Sequence, residues 1–277
     1  MKAYLELLKI AHWSKNLLVF VGVFFAGLVF TPFFFEAALV FAVFCLASSA
    51  GYVLNAILDR NHDLRHPRKR HRPLPSGRVS IRNAIILLSS LIVLLVVSLL
   101  LIPLAAGVIV LAYLALSALY STFLKDIFLI DIFTIAFGLI LRVLAGTIGI
   151  GISASPWLIV LIITVALFLA LAKRLNEKQS AGADHRSVLN AYAEPYLRSL
   201  ITMTATLSIG FYALYLIETE RTILHFVSIP IVIFGFFRYL YLLEVQKRGE
   251  DPIDDIIRDP YLIASLLLWA GIVGVST

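Results

Sequence analysis

Three side chains with hard oxygen donors, Asn55, Asp59 and Asp63, follow one another at intervals of four residues. On a helix that interval stacks them on one face, a turn apart. Such a row suits Mg2+, which takes one or two carboxylates and completes its shell with phosphate oxygens of a substrate. The next residues supply the complement. Arg68, Lys69, Arg70 and Arg72 lead into the turn sequence PLPSG at 73–77. Arginine offers phosphate a planar fork and lysine a point charge, so acids followed directly by bases describe a clamp for a metal-bound diphosphate. Pro67 disfavours helix at His66, and the chain should fold back there. A basic loop alone needs no ligand, because membrane topology also produces one and anionic lipid attracts it. Topology does not explain two aspartates at helical spacing. Zinc on His62, His66 and His71 is disfavoured, with no Cys beside them and carboxylate plentiful.

Further charged groups stand at the ends of apolar runs. Lys173, Arg174 and Glu177 close the run ending at 174, either as a salt bridge at the membrane edge or as ligands reaching the same anionic pocket. Asp184, His185, Arg186 and Tyr192 lie farther along that loop, and Arg186 joins the candidate substrate contacts. Lys125 and Asp126 mark another edge. Asp131 sits one turn inside the next run, where an acid is costly and suggests function: it could orient a cation or a second metal, or pair with a basic neighbour. Arg142 is eleven residues on, about 16 Å along a helix axis, too far to meet Asp131, so it should face the interior with another partner or reach the opposite interface. Arg238 should snorkel to the interface. Near the N-terminus Trp13 is an interface anchor, and Lys15, beside Asn16, could touch a lipid-borne phosphate.

These groups must be positioned by a very apolar chain. Hydrophobic residues make up 61% of its 277 and charged ones 14%, with a mean hydropathy of +0.96, which implies an integral membrane protein. Nine apolar segments, near 17–34, 36–58, 82–102, 104–122, 127–149, 156–174, 197–217, 222–243 and 258–275, approach or reach the roughly 17–25 residues that a helical crossing needs. They lack the alternation of barrel strands. The expected fold is all-α, a nine-helix transmembrane bundle occupying 1–277 as one domain, with 1–14 able to lie along the membrane surface. The start has no signal-peptide cleavage site. The single Cys45 permits no intramolecular disulfide. Of the 23 Lys and Arg, only Arg221 falls in an outside connection, and Arg142 and Arg238 lie within spans. That asymmetry places the N-terminus inside and the C-terminus outside, with the charged loops 59–81, 173–196 and 244–259 on the cytoplasmic face. Membrane lipids are therefore expected partners and nucleic acid is not.

Asn55, Asp59, Asp63 and RPLPSG at 72–77 resemble the UbiA superfamily of intramembrane prenyltransferases. The strings HWSKNLLVF, DLRHPRKRHRP, YSTFLK, LRVLAG, SPWLIV, LAKRLNE, RSVLNAY and YLYLL, in order from residue 12 to about 242, resemble its decaprenyl-phosphate phosphoribosyltransferases in particular. The resemblance implies a nine-helix bundle holding Mg2+ on Asn55, Asp59 and Asp63. It also implies transfer of 5-phosphoribose from phosphoribosyl diphosphate to a polyprenyl phosphate. Asp59, Asp63, Lys69 and Arg72 would be catalytic, and Asn55, Arg70, Lys15, Lys125, Lys173, Arg174, Glu177 and Arg186 would bind substrate. Two positions depart from the superfamily. Ala56 stands where an Asp usually follows the Asn. Lys173, Arg174 and Glu177 replace the second Asp-rich motif of aromatic prenyltransferases, which favours the phosphoribosyl subgroup. The alternatives are transfer of a prenyl group from a prenyl diphosphate to a small aromatic acid such as 4-hydroxybenzoate, and a non-catalytic transporter or lipid-binding protein.

Overall fold

The computed structural model describes residues 2–65, 69–180, 187–219, 223–248 and 252–275, and among them every regular element is helical. The α-helices are α1 (Lys2–Leu8), α2 (Val21–Phe25), α3 (Pro32–Leu58), α4 (Arg60–Arg65), α5 (Ile81–Ser98), α6 (Leu104–Thr122), α7 (Ile130–Ala145), α8 (Pro156–Ser180), α9 (Glu194–Glu218), α10 (Ile223–Phe226), α11 (Ser228–Glu244), α12 (Pro252–Arg258) and α13 (Pro260–Val275). Contacts gather them into two compact units. The first holds residues 1–23, 28–125 and 141–152, and the second 24–27, 126–140 and 153–277.

In the first unit α3 is the central element, packed by α5, α6, α1 and the 3-10 helix Ile10–Phe20. Pro32 starts α3 after an extended Thr31, since proline needs no amide partner in a first turn. Ser80 caps α5 by accepting from the Asn83 amide at 3.2 Å. One end of the core holds Val40, Phe44, Ala47, Val110 and Tyr113, and the other holds Ala50, Val53, Leu74, Val79, Ala84 and Leu91. In the second unit α8 packs along α9, α11 packs on α13 and α9, and α12 closes on α13. Its core includes Leu175, Leu197, Ile201, Leu216, Leu242 and Leu243.

Large apolar side chains such as Val93, Val96 and Leu100 after the α5 midpoint, and Leu266, Leu267 and Leu268 on α13, are exposed. Helices with satisfied backbones and apolar outer faces are the form a lipid solvent demands, and the chain is an all-α integral membrane protein. Among the described residues seven helical stretches are long and apolar enough to cross a bilayer, and Pro260–Gly274 is a shorter apolar one. Helix α11, at 17 residues, covers part of the expected eighth crossing. The first apolar stretch is Lys2–Phe25 instead of 17–34. Gly27, with φ at 70°, turns the chain just after Phe25, and a glycine between apolar residues leaves no mark on hydropathy.

Candidate functional site

The row Asn55, Asp59 and Asp63 runs through the junction of α3 and α4. The Asp59 amide donates to the Asn55 carbonyl at 2.9 Å, and the Asp63 amide donates to the Asp59 carbonyl at 2.8 Å. The four-residue register therefore continues past the end of α3 at Leu58. Asp59 is the C-cap of α3, where the negative end of the helix dipole opposes a carboxylate. Lys125 offsets it: its Nζ lies 2.6 Å from Asp59 Oδ1, with both side chains mostly buried. Lys125 comes from the 3-10 turn Leu124–Asp126 after α6. One turn on, buried Asp63 accepts from Arg72 Nη1 at 2.8 Å, and Arg72 remains 42% exposed.

The basic loop around Arg72 is tightly built. Lys69–His71 form a 3-10 turn, and the Arg72 carbonyl accepts from the Ser76 amide at 3.0 Å and from Ser76 Oγ at 2.6 Å. Gly77 then takes φ of 75°, a left-handed conformation suited to glycine. Leu74 and Val79 on either side of this turn are inserted into the core beside Leu7, Ala50 and Val53. Arg78 donates to the His71 carbonyl at 2.8 Å and pairs with Glu6 at 2.8 Å, fastening the loop to α1. Arg70 is exposed, with its Nε 3.3 Å from His71 Nε2. His66, Pro67 and Arg68 lie outside the described residues. Lys15 meets His12 at 3.1 Å, and Trp13 is tied to α3 by donating to Ser49 Oγ at 3.0 Å.

In the second unit the end of α8 organises a different group. Arg174 Nε lies 2.6 Å from Asp131 Oδ2, and both side chains are fully buried. Tyr192 donates to Asp131 Oδ1 at 2.5 Å while its hydroxyl accepts from the Leu129 amide at 2.7 Å. Burial, and then the hydrogen bond to Asp131, push the Tyr192 hydroxyl above the ordinary phenol range, so it stays a donor. Arg174 also pairs with Glu177, whose carboxylate lies 3.9 Å from Lys173. Lys178 donates to the Leu189 carbonyl at 2.9 Å, holding the 3-10 turn Ser187–Ala191 against α8. Asp184, His185 and Arg186 lie outside the described residues.

Asp131 thus has the basic neighbour that was one of its two expectations. Arg142, expected to face the interior, is buried in the first unit, where it donates to Asn16 Oδ1 at 2.7 Å and to the Tyr113 hydroxyl at 3.0 Å and lies over the Tyr113 ring. Nothing in the spacing of Asn16, Tyr113 and Arg142 announces that they meet. Asp259 accepts from Arg238 at 3.1 and 2.7 Å, and the guanidinium lies between the rings of Tyr241 and Tyr261.

The family model described as "UbiA prenyltransferase family" matches residues 16–253. A relative in Mycolicibacterium smegmatis named decaprenyl-phosphate phosphoribosyltransferase is 29% identical, over 96% of this chain and 89% of its own length. One of the same name in Mycobacterium tuberculosis is 30% identical, over 96% of this chain and 91% of its own. Among solved structures, a UbiA homolog from Archaeoglobus fulgidus bound to GPP and Mg2+ superposes with a TM-score of 0.72 at 18% identity, covering 98% of this chain and 96% of that one. The apo form of a UbiA homolog from Aeropyrum pernix K1 gives 0.69 at 18% identity, covering 96% and 97%.

Proposed function

This chain belongs to the UbiA prenyltransferase family and is a transferase of that family, and from that premise we propose that it moves 5-phosphoribose from phosphoribosyl diphosphate to a polyprenyl phosphate at the cytoplasmic face of the membrane. The observation that carries the reading is the stacked pair of carboxylates, Asp59 and Asp63, each paired with a basic side chain, Lys125 and Arg72. The mycobacterial relatives' name, over nearly the whole chain, favours phosphoribose over a prenyl group as the cargo.

The donor set fits Mg2+. Among the described residues no three His, Cys, Asp or Glu side chains converge on a metal site, and two carboxylates with the Asn55 amide suit a cation that takes its remaining ligands from substrate phosphate. When bound there, Mg2+ would neutralise charge on the diphosphate leaving group. The chain's own cations share that task. Lys69, Arg70, Arg72 and Lys125 bind the diphosphate oxygens and stabilise negative charge as the bond from ribose C1 to the diphosphate oxygen breaks. The new bond forms from C1 to an oxygen of the acceptor phosphate, and diphosphate leaves. The acceptor is already an anionic nucleophile, so no strong general base is needed. Lys15 contributes a further contact to phosphate.

Membranes containing the protein and Mg2+ should carry label from radiolabelled phosphoribosyl diphosphate into lipid when polyprenyl phosphate is supplied. Asp59→Asn should lower that rate at least about a hundredfold. Label entering from a prenyl diphosphate with 4-hydroxybenzoate instead would establish the prenyl-transfer alternative, and label from neither would leave a non-catalytic role.

A further inference from the structure

Taking phosphoribosyl transfer as the reaction, we propose that Lys9 and His12 join Lys15 in binding the phosphate of the polyprenyl acceptor, as a column along one edge of the 3-10 helix Ile10–Phe20. The inference rests on that reaction and lies wholly within the first unit.

A 3-10 helix of eleven residues is unusual, since runs beyond three or four are uncommon. Its period of three gives the segment three columns with different surroundings. Trp13, Asn16 and Val19 turn inward: Trp13 donates to Ser49 Oγ at 3.0 Å, the Asn16 side-chain amide donates to Ser48 Oγ at 3.2 Å, and Val19 is in the core. Ala11 and Leu17 are exposed. The third column is Lys9, His12, Lys15 and Leu18, each half-buried. Lys9 is the N-cap, and the His12 amide donates to its carbonyl at 2.9 Å, which starts the register. In an α-helix residues three apart drift by about 60° at each step, so the 3-10 form is what stacks the basic side chains.

The contacts agree with that register. Lys9 Nζ lies 4.9 Å from the centre of the Tyr52 ring, and the His12 ring packs on the same tyrosine with centroids 5.5 Å apart. Lys15 Nζ is 3.1 Å from His12 Nδ1. An ammonium only donates, so Nδ1 accepts and Nε2 is the ring's donor. Two ammonium groups are thus drawn from opposite ends of the column toward one aromatic pair, ordered before a ligand arrives. Lys9 also has φ of 50° and ψ of 49°, a left-handed conformation that glycine adopts freely and lysine does not. Strain of this kind collects where a site needs the side chain.

Tyr52 precedes Asp59 by seven residues, which puts the two on nearly the same face of α3 about 10 Å apart along its axis. The column therefore stands beside the carboxylate row, where an acceptor must be placed. Leu18 continues it with an apolar side chain, next to exposed Leu17. Charge at one end and hydrocarbon at the other match a lipid whose phosphate terminates an apolar chain. A sugar phosphate has nothing to offer the apolar end.

The test compares Lys9→Gly and His12→Phe with the wild type, as purified full-length protein in phosphatidylcholine nanodiscs with Mg2+. Lys9→Gly removes the ammonium and relieves the backbone. It should raise KM for polyprenyl phosphate about fivefold to thirtyfold, leave KM for phosphoribosyl diphosphate within about twofold, and keep the thermal midpoint equal or higher. His12→Phe keeps a ring against Tyr52 and takes away the acceptor of Lys15, so acceptor KM should rise about threefold to tenfold. Lys9→Arg, which retains a cation over the ring, should stay within about threefold of wild type. With no donor present, polyprenyl phosphate should raise the wild-type thermal midpoint more than polyprenol does, and Lys9→Gly should lose that difference. A rise in donor KM instead, or a lower midpoint with both KM values unchanged, would overturn the inference while leaving the reaction intact. Losses confined to nanodiscs of anionic phosphatidylglycerol would do the same, assigning the column to lipid headgroups. A wild-type protein that turns over prenyl diphosphate only, or neither donor, would remove the reaction itself and the inference with it.

Discussion

Lys125 Nζ lies 2.6 Å from Asp59 Oδ1, joining the turn after α6 to the C-cap of α3. The lysine neutralises a carboxylate that the helix end disfavours. It also occupies an oxygen that a divalent cation would want. Lys125→Met should therefore separate two effects. Half-maximal activation should occur at lower Mg2+, because the competing cation is gone, and KM for the donor should rise roughly fivefold to thirtyfold, the equivalent of about 1–2 kcal/mol for one charged hydrogen bond. Transfer rates titrated against Mg2+ and against donor measure both. A variant unchanged in either titration would mean that Lys125 serves Asp59 only as a structural partner.

Gly146 lets two backbones approach where α7 ends. A Cβ there would lie 1.8 Å from the Val19 carbonyl oxygen, and one on Gly22 would lie 1.8 Å from Thr147 Cγ2. The Gly146 obstacle is main chain, which no rotamer change relieves. Gly146→Ala should lose about 2 kcal/mol or more, seen as a lower thermal midpoint in detergent. Gly210→Ala on α9, where an added Cβ meets nothing within 4 Å, should be neutral or gain up to about 1 kcal/mol. Equal midpoints for the two variants would show that the first unit relaxes around the methyl.

Asp259 precedes Pro260 and caps α13, accepting from the Leu262 amide at 3.0 Å. The Arg238 hydrogen bond, with help from that amide, holds its carboxyl below the usual carboxylate range. A depressed pKa contributes stability that is fully present above the unfolded value and is lost as pH falls through the folded one. The thermal midpoint of the wild type should thus decline on acidification below about pH 5. Asp259→Asn should be less stable at pH 7 and should show a shallower decline over the same interval. Parallel acid limbs would assign the decline to other carboxylates.

The parts of the fold legible in sequence are those set by local rules. The row at Asn55, Asp59 and Asp63 holds because its hydrogen bonds run between residues four apart, and the PLPSG turn is legible because Gly77 does what glycine alone does freely. Partners across the chain are another matter. That Lys125 answers Asp59, that Arg174 answers Asp131, and that Arg142 lies on Asn16 and Tyr113 depends on which helix faces pack together. Hydropathy marks those faces as apolar without matching them. Arg238 illustrates the difference. Its position near a helix end carries no mark of its partner, the carboxylate of Asp259 that caps α13 just before Pro260.

Leu74 and Val79 anchor the basic loop from within, one on each side of its turn. Arg72 and Gly77 are consequently borne on a backbone with few conformations left to lose. Immobilising a flexible segment ordinarily opposes ligand binding by about 1–2 kcal/mol of entropy for each residue fixed. Here that ordering is accomplished during folding, and a diphosphate need only still the outer atoms of the side chains. A substitution such as Leu74→Ala, remote from any phosphate, would return the loss to the binding step by loosening the platform on which the charges stand.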